Sequence, residues 1–194
     1  MERDVERFRS LACDALAAGR PMAAYDYAQA WISHGGVRTL GPWLISVAHM
    51  LQVGQPLNSV HAADLALKNW IGDDPRRAVL RYVRGEVIRR HLRDPKTAEA
   101  DLDDARARAP LWLRADAERA ANLCREEAAA SRKRKPSVGA TPDYAAAVDH
   151  PDWSKRVIEL DGPIEVEAPF VWQAVKRVLV APNPRVPEEL RWER

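Results

Sequence analysis

The chain has 194 residues, with 30 Lys plus Arg against 28 Asp plus Glu and a formal charge of +2. That length allows one or two domains with a real core. The near balance excludes a field of one sign that would draw the whole molecule onto nucleic acid or anionic lipid.

The N-terminus is charged from Glu2 onward and lacks the apolar run of a signal peptide. No stretch reaches the length of a bilayer span, and Cys13 and Cys124 alone make no disulfide framework. The expected location is the cytoplasm, with no membrane partner.

Three punctuation points recur along the first part of the chain: Gly19-Arg20-Pro21, Gly54-Gln55-Pro56 and Arg93-Asp94-Pro95. Their prolines lie 35 and then 39 residues apart, near the length of one helical-hairpin repeat. Proline suits the first position of a helix, where its missing N–H costs nothing and its fixed φ fits. Asp74 before Pro75 and Asp94 before Pro95 are placed to cap the orphan N–H groups.

Between these marks the apolar residues repeat at helical spacing. The first helix carries Val5, Phe8, Ala12, Ala15 and Leu16 on one face; the second, after Pro21, carries Ala24, Ala28 and Trp31 and stops at Gly35-Gly36. A third is predicted over 39–53 with Trp43, Val47, Met50 and Leu51, and a fourth over 56–70 with Val60, Ala63 and Leu67. The fifth covers 76–92 with Leu80, Val83 and Val87, and the sixth 95–109 with Ala98, Leu102 and Ala105. A seventh, from Pro110, aligns Leu113, Ala117, Ala120, Ala121, Cys124 and Ala128.

The pattern changes at Ser131. Eight of the 14 prolines follow Lys135, and residues 131–152 read as a linker. Val157–Leu160 and Ile164–Val166, around Asp161-Gly162-Pro163, suggest a short β-hairpin. A helix is predicted after Pro169, with Phe170, Val171, Ala174, Val175, Val178 and Leu179 on one face, and an extended tail follows it. A hairpin and one helix are too small to fold alone, so residues 153–194 should dock on the helical stack or on a partner. The expected fold is mainly α: a domain over 1–130 of antiparallel helix hairpins, with a small hairpin-and-helix appendage.

Gly85, Ala98, Leu102, Ala105 and Pro110 resemble the tetratricopeptide pattern of a small residue within the first helix and alanine, a large apolar residue and alanine in the second. The earlier pairs match in spacing and in small residues such as Ala12, Ala28 and Ala63. This resemblance implies a solenoid in which the first helix of each pair lines a concave groove. Tyr82, Glu86, Arg89 and Arg90 would face that groove, with Trp43 one repeat earlier. The implied function is a non-enzymatic scaffold or adaptor, or a subunit of a larger complex, binding a protein or peptide that bears acidic groups. On that reading, Arg89→Glu with Arg90→Glu abolishes partner binding and leaves helicity unchanged.

No chemistry-bearing motif competes with this reading. The five histidines form no metal-ligand spacing, and there is no Gly-rich phosphate loop or nucleophile with a base. No enzyme activity, metal or cofactor is expected. Glu99, Asp101, Asp103 and Asp104 read as the wet face of the sixth helix, partnered with Arg106 and Arg108. Arg77, Arg81 and Arg84 flank the apolar stripe of the fifth helix: a solvated face paired with neighbouring acids, or an anion-accepting surface. Lys133, Arg134 and Lys135 are a second anion candidate. Together these basic groups support an alternative, a nucleic-acid-associated accessory subunit, whose binding would collapse with added salt. Trp172, beside the apolar face of the last helix, is a candidate partner anchor.

Overall fold

The computed structural model describes residues 2–133 and 168–180. These form α1 (Glu2–Ala17), α2 (Pro21–Ser33), α3 (Leu40–Gln52), α4 (Pro56–Leu67), α5 (Pro75–Glu86), α6 (Pro95–Arg108), α7 (Leu111–Lys133) and α8 (Ala168–Val180). A 3-10 turn, Gly36–Arg38, precedes α3, and a π-helical turn, Val87–His91, extends α5. The predicted β-hairpin at 157–166 lies outside the described residues, among which there is no strand. The first residues of the expected linker, through Lys133, are helical and belong to α7.

Proline opens α2, α4, α5 and α6. Asp74 accepts from the Arg76 N–H at 2.9 Å and Asp94 from the Thr97 N–H at 3.0 Å, so both predicted caps form. The chain turns into α2, α4 and α6 through one backbone geometry. The residue two before each proline is left-handed: Gly19 at φ 66°, Gly54 at 71° and Arg93 at 57°. The first two are glycines, which adopt that conformation freely; Arg93 is exposed and carries the Cβ penalty of roughly 1 kcal/mol. Arg93→Gly is therefore expected to raise stability by about 0.5–1 kcal/mol in urea unfolding. A lowered midpoint would show that the Arg93 side chain contributes more than its backbone costs.

From α1 to α7 each helix packs on the next, an arrangement compatible with a helical repeat. Alanines sit where the helices meet: Ala12 and Ala15, Ala24 and Ala28, Ala63 and Ala66, Ala98 and Ala105, Ala117 and Ala121 are all buried. Their small size lets the axes approach. Trp31, Leu40, Leu44, Leu80, Leu102 and Leu113 fill the space between the approaches. Polar links pin the stack: Gln29 donates to Ser46 Oγ at 2.8 Å, and Ser59 Oγ donates to Val47 O at 2.9 Å.

The fifth helix departs from the predicted regular run over 76–92. Past Glu86 it widens into the π turn, in which Val87, Ile88 and Arg89 are all buried. Runs of buried residues also occur in regular helix, at Leu44–His49 and Ala78–Leu80, so burial alone does not account for the wider turn; turns of this kind often mark functional sites.

Candidate partner-binding groove

α8 is amphipathic. Val171, Trp172, Val175 and Leu179 are buried, while Gln173 and Arg177 face solvent. A helix of this length is marginal alone in water, so its order comes from what it packs on. Its main neighbour is α3, with α1 alongside. Trp172 meets Tyr82 of α5 edge-on, with ring centroids 5.4 Å apart, and Trp112 of α7 at 5.9 Å. Lys176 Nζ lies 2.9 Å from Asp116 Oδ2, and His91 Nε2 lies 2.8 Å from Leu179 O. One helix thus touches all four odd-numbered helices or their extensions, and these form the walls of a groove.

The register is readable from the pairs. Trp172, Lys176 and Leu179 advance along α8 while Tyr82 and His91 advance along α5, and Trp112 and Asp116 along α7. α8 therefore runs parallel to the walls. The polar contacts suit a helix in a trough. Asp116, almost fully buried, receives a cation. His91 donates to a carbonyl of the last turn, a group that has no partner within its own helix. Burial holds the His91 pKa below the usual histidine value, against the hydrogen bond to Leu179 and with the help of nearby Arg90, so the neutral ring is the donor at neutral pH. A small, partly open cleft where α8 meets α1 and α3 is lined by Leu16, Ile45, Ala48, Ala174 and Val178.

The residues predicted to bind a partner, five of them as groove-facing and Trp172 as a separate anchor on the last helix, fall into three groups. Tyr82 and Trp172 come together in the groove, and burial raises the Tyr82 pKa well above its usual value. Glu86, Arg89 and Arg90 lie at the end of the same wall and neutralise one another. Arg89 Nε donates to Glu86 Oε1 at 2.7 Å and its Nη1 to Glu127 Oε1 of α7 at 2.6 Å, while Arg90 Nε reaches Glu86 Oε2 at 2.5 Å. Arg89 and Glu86 are only 2% and 1% exposed. Burial works to raise the Glu86 pKa, but Arg89 and Arg90 overcome it and hold the carboxyl below its ordinary range. Trp43 is half-buried at the start of α3, where its indole N–H donates to Val37 O at 2.9 Å.

The possible anion site on α5 is engaged within the molecule. Arg77 donates to Leu67 O and Trp70 O, which closes the C-terminal end of α4. Arg81 pairs with Asp101 at 2.7 Å; Arg84 spans Asp64 at 2.9 Å and Asp101 at 3.0 Å. Asp101 is accordingly a correction to the predicted wet face of α6: it is 2% exposed and holds α6 to α5. Two others of that acidic group pair with the expected arginines, Asp103 with Arg106 and also with Arg125, and Asp104 with Arg108. The side chains of Lys133, Arg134 and Lys135 lie outside the described residues.

Sequence reading missed four residues that shape the groove: Trp112, Asp116, His91 and His49. Trp112 and Asp116 lie four apart on α7, a spacing that puts them on one face, although only the position of α8 shows that the face is used. His49 stacks on Tyr25 with centroids 4.3 Å apart, and nothing in its neighbours along the chain points to that contact. No family model matches the chain, and neither a curated protein nor a solved structure is significantly similar to it.

Proposed function

We propose that the chain is a cytoplasmic protein–protein interaction adaptor of tetratricopeptide-like build, whose groove receives an amphipathic helix. The observation that supports this reading is α8 itself, an amphipathic helix seated along the four odd-numbered helices by Val171, Trp172, Val175 and Leu179. The tetratricopeptide-like build is supported by buried Ala98, Leu102 and Ala105 and by Gly85, where a Cβ would lie 2.8 Å from Leu102 Cγ. The ligand differs in chemistry from an acidic peptide. The cations at the end of the groove are already paired with Glu86 and Glu127, whereas Asp116 presents an acid to the ligand.

The test uses the full chain with its own helix disabled by Val175→Glu and Leu179→Glu, and a fluorescent peptide of the α8 sequence, residues 168–180. Saturable one-to-one binding in fluorescence anisotropy is expected. A variant that keeps its helical circular dichroism yet fails to bind the peptide removes the groove as a recognition site.

A further inference from the structure

Resting on the groove reading, we propose that α8 is a resident competitor. It closes the groove in cis, and the partner that opens it is a protein whose own amphipathic helix repeats the α8 seam. That seam is a bulky aromatic residue followed at i+3 and i+7 by branched aliphatics and at i+4 by a cation.

Each part of the signature has a counterpart in the walls. The aromatic enters between Tyr82 and Trp112, as Trp172 does. The aliphatics take the places of Val175 and Leu179, both 1% exposed. The cation takes the place of Lys176 beside Asp116, whose side chain is only 5% exposed. A buried carboxylate without a cation is costly, so the groove discriminates against a neutral or acidic residue there. The last turn of the ligand helix supplies a carbonyl to His91, as Leu179 does. Residues 134–167 join α8 to the end of α7, so the helix and its seat belong to one chain.

Covalent attachment presents α8 to the groove at an effective concentration of up to about 1 mM. If the same helix supplied separately bound with a Kd of about 10 μM, cis closure would weaken any outside helix by roughly 100-fold. A partner of the same seam therefore succeeds only by binding better or by being abundant, which makes closure a threshold.

Anisotropy titrations of the α8 peptide compare the intact chain with the Val175→Glu, Leu179→Glu chain. Binding at least tenfold tighter to the variant is expected, and equal affinity overturns closure in cis. A Lys176→Glu peptide is expected to lose at least tenfold on the variant and to regain it when Asp116→Lys is added, with Asp116→Asn reporting loss of the acid alone. Indifference to this swap overturns the proposed partner chemistry. An intact chain of twice the expected mass, reverting to single copies in the variant, replaces cis closure by exchange between copies. Absence of binding to either chain instead removes the groove reading beneath the proposal.

Discussion

Truncating Arg89 to alanine is expected to cost the fold about 3–5 kcal/mol, the range for breaking a buried ion pair by removing one partner. The guanidinium side chain is 1% exposed and binds two carboxylates, Glu86 beside it on the same wall and Glu127 on α7. Its removal leaves Glu86, also 1% exposed, with Arg90 alone. Equilibrium urea unfolding reads the loss directly, and a Tm lower by on the order of 10 °C should accompany it. Arg84→Ala is the control: that side chain is 26% exposed, and Arg81 remains on Asp101, so the cost should stay near 1 kcal/mol. Equal effects at the two positions would show that burial does not set the strength of these pairs.

The same network changes what the paired reversal of Arg89 and Arg90 reports. Glutamate at both positions would gather four carboxylates around a site with little water, so helicity should fall together with any binding. The expectation of unchanged helicity assumed accessible cations, and Arg89 is buried. The pH dependence follows with a definite sign. Because the folded Glu86 pKa lies below its ordinary value, its contribution is present above the usual glutamate range and is lost as pH falls through the folded value. Glu127 moves the other way: burial raises its pKa, more than Arg89 lowers it. On acidification Glu127 takes up a proton before Glu86.

What could be read in the sequence was whatever local chemistry decides. Proline at the first helical position, Asp74 and Asp94 as caps, and the alanine periodicity all act within a few residues, and they located α1–α7 to within a few positions. The face of α8 was equally legible, since Val171, Val175 and Leu179 repeat at helical spacing. Pairing across the fold was not. Arg77, Arg81 and Arg84 look alike in sequence, yet Arg77 closes the end of α4 while the other two hold α6 through Asp101. Asp101 sits among acids that remain wet, and only its position against α5 separates it from Asp103 and Asp104. Nor does any rule of spacing join Trp172 to Tyr82 or Leu179 to His91, because segments far apart in the chain meet there by shape.

Gly85 provides the second large expected effect, and the sign there runs against helix propensity. In an exposed helix Gly→Ala is favourable by roughly 1 kcal/mol. At Gly85 the added Cβ would lie 2.8 Å from Leu102 Cγ, 2.9 Å from its Cδ2 and 3.2 Å from Asp101 Cβ. Leu102 is fully buried between α5 and α6 and cannot swing aside, and Asp101 is held by Arg81. The two helices must separate, and overpacking of this kind costs about 1–3 kcal/mol. Gly85→Ala should therefore be neutral to destabilising by up to about 2 kcal/mol, and Gly85→Val should lose about 3 kcal/mol or more in urea unfolding. The mechanism has its own signature in a double-mutant cycle. Leu102→Ala alone opens a cavity and costs about 2–5 kcal/mol, but it also makes room for a Cβ at position 85. Combined with Gly85→Ala it should cost less than the two single changes added together. Strict additivity would mean that the close approach of α5 and α6 is not what keeps this position a glycine.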